Sequence, residues 1–422
     1  MRTIQMWVMA AASVAVAGCE AKPVGNAPPP NEAAVPAATE ERPVSAAAPV
    51  AKVAEAPQVL TEEELAEGWI CLFDGKTLFG WQPHSKADWK VEDEAITVTS
   101  GEKGLLCTSV QFSDYVLKAE FQAAKGTNSG IFLRTAPVVG KDDIATKCYE
   151  LNIAPSDNPF PTGSLVGRQK AQEVPESEDW QSFEVTLDGP QVTVTLNGEE
   201  VLAYEDPQPI GRGNIGLQLN EGTVAFKNLK LRPLNLKPMY DGKSLAGWKD
   251  HPQSKSKFTV TEAGEINVKN GSGSLETEKT YGDFVMQVEC ISHKPQLNSG
   301  IFFRCVSGSR MDGYESQIHN GFKNGDRTQP VDCGTGGIFR RVNARLVAAD
   351  DGQWFHKTII ADGPRVAVWV NGYQVTDWTD PREPNANPRN GLRTEPGTIQ
   401  IQGHDPTTDL SFRKLRIAEL RD

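Results

Sequence analysis

The sequence is poor in the groups that bind metals, phosphates or nucleic acids. Its 422 residues include six histidines and seven cysteines, with no CxxC pair and no histidine clustered near a cysteine, so we expect no structural zinc site. The absence of a glycine-rich phosphate loop and of strand-helix alternation excludes the nucleotide-binding folds. The formal net charge of -12, without a basic stripe, argues against nucleic acid as a partner.

Long apolar runs are also missing, apart from one at the N-terminus. That run covers residues 6–16, whereas a membrane-spanning helix needs about 20 apolar residues. It leads into VAGC, which resembles a bacterial lipobox, so we predict a signal peptide over residues 1–18 and lipidation of Cys19. An ordinary cleaved signal with a chance cysteine is the alternative. Because Glu20 and not Asp follows, we predict a lipid anchor in the cell envelope, at the outer membrane in preference to the inner one.

The segment after the lipobox has the composition of a tether. Residues 19–60 are dominated by Ala, Pro, Val and Glu and contain almost no large apolar residue. Such a segment cannot bury enough surface to offset the entropy lost on ordering, so we predict that it is disordered and flexible. Thr61 followed by Glu64 forms a capping-box pattern, which predicts a short helix ahead of the first globular unit.

The strongest internal signal is a duplication. Three segments of the first half return in the same order in the second half: FDGKTLFGW at Phe73 as YDGKSLAGW at Tyr240, NSGIFLR at Asn128 as NSGIFFR at Asn298, and DGPQVTVTLNG at Asp188 as DGPRVAVWVNG at Asp362. We therefore predict two tandem copies of one domain, over residues 61–234 and 235–422. Three cysteines fall in each copy, and we expect some of them to be small buried hydrophobic residues.

Each copy consists of short alternating runs separated by turn residues. The clearest runs cover residues 115–121, 191–196 and 224–231 in the first copy, and 284–290, 365–370 and 398–402 in the second. One run in each copy ends at Asn-Gly, which is the strongest short-range signal for a β-hairpin. Strands at this spacing, without helices between them, predict an all-β sandwich or jelly roll of roughly 170 residues per copy.

Two predicted strands of the second copy carry an unusual set of polar residues on one face. Glu315, Gln317 and His319 alternate with other residues in one strand, and Gln402 and His404 alternate with isoleucines in another. The outer face of a sandwich normally meets solvent, so polar alternation alone indicates little. Glu, Gln and His together, however, are more typical of a groove that binds a ligand.

The first copy repeats this pattern without the histidines. Glu150 and Asn152 alternate in one strand, Gln218 and Asn220 alternate in another, and Arg134 ends the NSGIFLR segment. Histidine is the side chain that titrates near neutral pH. We therefore predict that the second copy is the catalyst and that the first is a binding or spacer domain.

With these motifs, each copy resembles the 3-keto-disaccharide hydrolase domain family, also called the 3-keto-glucoside 1,2-lyase/hydratase domain. The resemblance covers nearly all of the chain from Ile70 onward and rests on the FDGK opening, a glutamate (Glu120 or Glu289) ahead of NSGIF.R, the YE strand, the NG hairpin and the closing strands. It implies a concanavalin-like jelly roll whose concave sheet carries the site. It also implies a glycoside that a separate sugar 3-oxidoreductase has already oxidised at C3.

A ketone at C3 acidifies the proton at C2, so a base can remove that proton, the C1 substituent can leave, and water can add to the enone. We predict Glu315 or His404 as the base, His319 or His404 as the acid, and Arg304 or Arg340 as the group that stabilises the enolate. No cofactor is required. A divalent cation held by Glu315, His319 and His404 is an alternative to the arginine.

Further predicted substrate contacts are Gln317, Gln402, Arg340 and Glu289 in the second copy, and Glu150, Asn152, Arg134 and Gln218 in the first. Two residues also have a purely structural interpretation, because Arg304 can pair with a glutamate across strands and His319 can lie at a loop entrance. The alternative function is a non-catalytic carbohydrate-binding or adhesion lipoprotein. An ordinary jelly-roll glucanase is disfavoured, since no E.D..E run supplies its two carboxylates.

Overall fold

The computed structural model describes residues 54–140 and 143–421. The predicted signal peptide, Cys19 and almost the whole tether lie outside the described residues. Within them, none of the helices has the length and apolar character needed to cross a membrane. The predicted short helix is confirmed as α1, Glu62–Glu67: the Thr61 hydroxyl accepts a hydrogen bond from the Glu64 N–H, and the Glu64 carboxylate accepts one from the Thr61 N–H.

Two successive β-sandwiches follow, as predicted. The strands of the first are β1 Ile70–Cys71, β2 Trp81–Pro83, β3 Lys90–Glu92, β4 Ala95–Val98, β5 Gly104–Thr108, β6 Tyr115–Ala123, β7 Ser129–Thr135, β8 Tyr149–Ile153, β9 Gln181–Asp188, β10 Gln191–Leu196, β11 Glu199–Glu205, β12 Asn214–Leu219 and β13 Val224–Pro233, with a short helix α2 at Ile144–Lys147. One sheet has the order β11-β10-β9-β6-β13-β4-β3, with β1 beside β13, and the other has the order β2-β5-β12-β7-β8.

The second sandwich repeats this topology. Its strands are β14 Lys237–Pro238, β15 Trp248–Asp250, β16 Lys257–Val260, β17 Ile266–Lys269, β18 Gly273–Thr277, β19 Phe284–Ser292, β20 Ser299–Cys305, β21 Tyr314–Ile318, β22 Phe322–Lys323, β23 Asp326–Pro330, β24 Phe355–Asp362, β25 Arg365–Val370, β26 Tyr373–Thr379, β27 Thr398–Gly403 and β28 Asp409–Glu419. The sheets have the orders β16-β17-β28-β19-β24-β25-β26, with β14 beside β28, and β15-β18-β27-β20-β21; β22 and β23 form a small hairpin.

The hairpins form where Asn-Gly predicts them. Asn197 and Gly198 have φ angles of 50° and 87°, and Asn371 and Gly372 have 49° and 73°. These left-handed angles at both central residues give the turn a twist that matches the flanking strands. Apolar residues at alternate positions then fill the space between the two sheets.

The described cysteines are all free. Cys71, Cys107, Cys148, Cys290 and Cys305 are buried, and Cys333 is partly buried. The expectation that some of them serve as small buried hydrophobic residues is thus confirmed.

The two sandwiches form one compact unit. Val285, Ile360, Ala367 and Trp369, on the outer face of the larger sheet of the second sandwich, belong to the same apolar core as the interior of the first. The Trp369 indole N–H also donates a hydrogen bond to the Cys71 carbonyl, at 2.9 Å.

Candidate functional site

The polar face predicted for Glu315 and Gln317 is present on β21. Tyr314 and Ile318 point into the core of the second sandwich, so the intervening Glu315 and Gln317 point to the outer side of the five-stranded sheet. Both side chains are nevertheless almost fully enclosed, since Glu315 is 4% exposed and Gln317 is 0% exposed. This surface, the outer face of β15-β18-β27-β20-β21, is called the groove face below.

A row of side chains crosses the groove face. Glu315 stands opposite Phe302, Phe302 stands opposite Gln400, and Gln400 stands opposite Glu276. Next to this row, a Cβ atom on Gly300 would lie 2.8 Å from the Glu315 side chain. Glycine at position 300 therefore leaves the room that the Glu315 carboxylate occupies.

His319 and His404 lie at one edge of this face. Each directly follows its strand, β21 or β27, and both strands pair antiparallel with β20 between them. The two strands thus run in the same direction and end at the same edge, about 10 Å apart at the usual strand spacing. The charge of His404 acts on the pKa of both Glu315 and His319. The structure therefore brings these three predicted residues together.

The two histidines differ in their surroundings. Burial lowers the pKa of His319, and its Nδ1 accepts a hydrogen bond from the Gly321 N–H at 3.1 Å. In the neutral ring the proton is therefore on Nε2. The His404 side chain is 42% exposed, and its Nδ1 lies 2.9 Å from Asp405 Oδ2. His404 is thus the histidine that is open to a ligand.

The cation of this site is Arg389, which the sequence analysis missed. Arg389 Nη2 lies 3.1 Å from Glu315 Oε2, Arg389 Nε donates to the Met311 carbonyl at 3.0 Å, and the guanidinium lies 4.9 Å from the ring centroid of Phe302. Burial raises the pKa of Glu315, while Arg389 and then His404 oppose that rise. Arg389 therefore favours the ionised carboxylate.

Arg389 lies in a connection that only the second copy has at this length. Residues 380–397 join β26 to β27, a span of 18 residues, whereas residues 206–213 join the equivalent strands of the first copy with eight. This difference in repeat spacing was visible in the sequence. It is the one signal that marks residues 380–397 as a feature specific to the second copy.

Two glutamines on the groove-face side of their strands have unpaired oxygens. Gln317 Oε1 and Gln402 Oε1 are buried, and neither has a hydrogen-bond partner within the described part of the chain. The amide nitrogen of Gln317 donates to Asp332 Oδ2 at 2.9 Å, which fixes the side chain. Leaving a buried acceptor unpaired costs about 1–3 kcal/mol. In this conformation both oxygens lie beneath the surface of the groove face and not on it.

Comparison with known families decides the relationship. Residues 68–232 and 235–418 each match the family described as the 3-keto-alpha-glucoside-1,2-lyase-like domain. The chain belongs to this family. A protein named 3-keto-disaccharide hydrolase from Bacteroides thetaiotaomicron is 26% identical, and the match covers 40% of this chain and 80% of that protein.

Solved structures with similar chain paths include two carbohydrate-related proteins. A candidate glycosyl hydrolase from Parabacteroides distasonis has 24% identity and a TM-score of 0.38, over 42% of this chain and 99% of that chain. A carbohydrate binding module from Bacillus subtilis has 16% identity and a TM-score of 0.29, over 36% of this chain and 94% of that chain.

In this family member, Arg304 does not lie on the groove face, and the prediction that it acts there is corrected. Arg304 has a φ of 50° in the bulge of β20, which turns its side chain away from the face. The side chain is 1% exposed and donates hydrogen bonds to the Gly363 carbonyl, the Arg393 carbonyl and Asp283. Arg304 thus ties the end of β20 to the turn between β24 and β25. It pairs with neither Glu289 nor Glu315, the two glutamates that could have been its partners across strands.

Glu289 lies off the groove face and Arg134 lies off the corresponding face of the first domain, so their predicted contacts with substrate are corrected as well. Arg134 makes the same kind of contacts as Arg304, with Asp114 and with the carbonyls of Ser113, Gly189 and Ile210. Glu289 is on the larger sheet, on the side that faces away from the core. Its carboxylate pairs with Arg413 at 2.6 Å and with Lys414 at 2.7 Å. Arg340 is exposed beside Arg389 at the rim of the groove face.

The corresponding face of the first domain is partly covered by apolar side chains. Glu150 and Asn152 share this face, and burial raises the pKa of Glu150 to about 7, opposed by a hydrogen bond with Gln218. Beside them lies an apolar cluster of Leu105, Cys107, Phe132 and Cys148, packed against Val139 and Ile144. In the register of the strands, Cys107 stands where the second domain has Glu276. This face therefore lacks counterparts of His319 and His404, and apolar side chains interrupt its polar row.

The geometry of the site does not show a set of ligands for the divalent cation that was predicted as an alternative to the arginine. Among residues 54–140 and 143–421, no three His, Cys, Asp or Glu side chains are grouped as metal ligands. Glu315, His319 and His404 are near one another, but their closest partners are Arg389, Gly321 and Asp405. Metal involvement stays a prediction.

Proposed function

We propose that this protein is a carbohydrate-active enzyme that cleaves 3-keto-glycosides on the groove face of the second domain. The observation that carries the proposal is the ion pair of Glu315 with Arg389 on that face, with His319 and His404 at its edge. Family membership and the name of the Bacteroides relative support the substrate class.

The reaction begins at the proton on C2, which the ketone at C3 makes acidic. The Glu315 carboxylate removes this proton, and the electron pair moves into the C3 carbonyl to form an enolate. Collapse of the enolate breaks the C1–O bond and leaves a double bond between C1 and C2, while His404 protonates the departing oxygen. Water then adds its hydroxyl to C1 and its proton to C2, so the net reaction is hydrolysis.

Arg389 has two roles in this scheme. It favours ionised Glu315, which a base must be, and it supplies positive charge near the developing enolate oxygen. It takes the role that the sequence analysis gave to Arg304 or Arg340.

We also propose that the protein is exported and lipid-anchored through Cys19 in the cell envelope. Its support is the apolar run and the VAGC sequence at the N-terminus. The ketone must be made before cleavage, so a separate sugar 3-oxidoreductase supplies the substrate. Incorporation of labelled palmitate that is lost in Cys19→Ala would support the anchor, and incorporation that persists would contradict it.

The function is tested with a 3-keto-glucoside that carries a chromogenic leaving group, beside its unoxidised parent glucoside. We expect release from the ketone and none from the parent, because only the ketone acidifies the C2 proton. Binding of both sugars without any release would contradict the enzyme and favour the alternative, a carbohydrate-binding lipoprotein. Equal release from both sugars would indicate ordinary glycoside hydrolysis.

A further inference from the structure

A second cleft opens beside Glu315, and it is unusually basic. It has a volume of about 520 Å³ and is lined by Phe339, Arg340, Arg341, Arg389 and Asn390. Three of these five residues are arginines, although the whole chain carries a net charge of -12. The basic character is therefore local to this cleft, which adjoins the groove face through Arg389.

These arginines have too few carboxylate partners to balance their charge. Arg389 pairs with Glu315. Within the described residues, the guanidinium of Arg341 donates hydrogen bonds only to the carbonyls of Arg340 and Arg389, at 3.2 and 2.7 Å. Arg340 is exposed, with its guanidinium 5.2 Å from the ring centroid of Phe339. In the part of the chain that the structure describes, neither Arg340 nor Arg341 forms an ion pair with a carboxylate.

The neighbouring carboxylate is already neutralised. Asp380 lies near Arg341, but Arg382 pairs with it at 2.7 Å. Burial lowers the pKa of Arg341 first, and the charges of Arg382 and Arg389 lower it further, while Asp380 opposes them. The cleft thus holds guanidinium groups that repel one another, and an anion entering it would relieve that repulsion.

The first domain lacks this feature at the equivalent place. The bridges that Leu165 makes with Leu151 and Gln169 match those that Ile338 makes with Ser316 and Val342. This register places Gly167 at the position of Arg340, and Arg168 at that of Arg341. Arg168 pairs with Asp206 at 2.7 Å and is therefore neutralised. At this place in the fold, the described residues of the first domain thus have no counterpart of the unbalanced Arg340 and Arg341.

We propose that this cleft is a subsite for an anionic substituent, a carboxylate or a sulfate, on the side of the sugar that carries the C3 ketone, such as a substituent at C4. Guanidinium groups bind such oxyanions through paired hydrogen bonds. This inference rests on the proposed function, in which the C3 oxygen faces Arg389 while the C1 leaving group faces His404, so that a substituent at C4 extends toward Arg340. Binding of the anion itself does not require turnover.

The test is equilibrium binding of unoxidised methyl glucosides, measured by calorimetry. The 4-O-carboxymethyl derivative is compared with the 4-O-carbamoylmethyl derivative, which has nearly the same shape but no charge, and with the 4-sulfate. We expect the carboxylate or the sulfate to bind at least about tenfold more tightly than the amide. An advantage for one anion and not the other identifies the substituent.

Arg340→Gln and Arg341→Gln should each reduce that advantage, and raising the salt concentration should weaken only the anions. Lys237→Gln, an equal change of charge at an exposed position on the other sheet, should leave it intact. Equal binding of amide and anions, or an advantage that survives Arg340→Gln and Arg341→Gln together, would overturn the subsite. Because the ligands are not cleaved, an inactive enzyme that still prefers the anions would refute the proposed function and not this subsite.

Discussion

At the residue scale, the proposed reaction depends on the charge of Glu315. Burial raises the pKa of this carboxyl group, and the nearby Arg389 is the largest influence that opposes the rise. A base must be ionised to accept the C2 proton. The position of Arg389 therefore decides over which pH range Glu315 can act.

Arg389→Gln should move the acid limb of the pH profile of kcat/KM to higher pH. Without the guanidinium, the pKa of Glu315 rises further, so a higher pH is needed to ionise the base. The measurement is kcat/KM for a chromogenic 3-keto-glucoside between pH 4 and pH 9, with Lys237→Gln as a control of equal charge change. An unshifted acid limb in Arg389→Gln would mean that Glu315 does not set it.

Lys357 is a second residue whose charge is unusual for its surroundings. Its amino group is buried and donates hydrogen bonds to the carbonyls of Ser316 and Gln317, at 2.9 and 2.8 Å, behind the strand that carries Glu315. Burial lowers its pKa from 10.5 to about 8. In the first domain, strand β9 corresponds to β24, and Phe183 stands at the position of Lys357. Phe183 stacks on Phe121.

Lys357→Met should alter how stability depends on pH. Between pH 8 and pH 10.5 the unfolded chain holds the Lys357 proton and the folded chain does not, so raising the pH through this window stabilises the wild type. Relative to Lys357→Met, the wild type should gain on the order of 2–3 kcal/mol across the window. Urea unfolding of both proteins at pH 7.5 and pH 10 measures this, and a pH-independent difference would contradict it.

At the scale of strands and loops, regular features were predictable and irregular ones were not. The strands Gln191–Leu196 and Arg365–Val370 have the bounds expected from alternation and the Asn-Gly turns, and the face of Glu315 and Gln317 follows from the same period of two. Arg304 was misplaced because it lies in a bulge that interrupts that period. Arg389 was missed because the loop that contains it, residues 380–397, has no periodic pattern of apolar and polar residues from which the direction of a side chain could be predicted.

Arg304→Gln tests whether Arg304 stabilises the fold at the end of β20, the structural role that its contacts indicate in place of the predicted catalytic role. Removal of the guanidinium takes the partner from two carbonyls and one of the two arginine partners from Asp283, which keeps its ion pair with Arg212. The unfolding free energy should therefore fall by about 1–3 kcal/mol. Urea unfolding checks this. Arg134→Gln should cost a similar amount at the equivalent position of the first domain, and a loss below about 1 kcal/mol in both would contradict the role.

At the scale of the whole molecule, the two copies are less independent than the duplication alone indicates. Ile359 and Ile360 are adjacent and both fully buried, one in the core of the second sandwich and the other in the core shared with the first. Such a continuous apolar run indicates a strand that is covered on both faces. The run was visible in the sequence, but the partner that covers it was not.

We therefore expect the two domains to unfold in one cooperative transition. Trp369→Ala should lower the unfolding free energy by about 3–5 kcal/mol, because it opens a cavity between the sandwiches and removes the hydrogen bond to Cys71. Thr195→Ala, at the equivalent position of the first domain, is only partly buried and should change little. Calorimetry that resolves two separate transitions in the wild type would contradict the shared core.

The central claim is that the groove face of the second domain performs the reaction while the first domain does not. The most direct measurement is the rate of leaving-group release from a 3-keto-glucoside by two matched variants, Glu315→Gln and Glu150→Gln. Loss of the base should slow release by about 10²–10⁴-fold in Glu315→Gln and leave Glu150→Gln within about twofold of the wild type. Equal loss in both, or loss only in Glu150→Gln, would contradict the assignment.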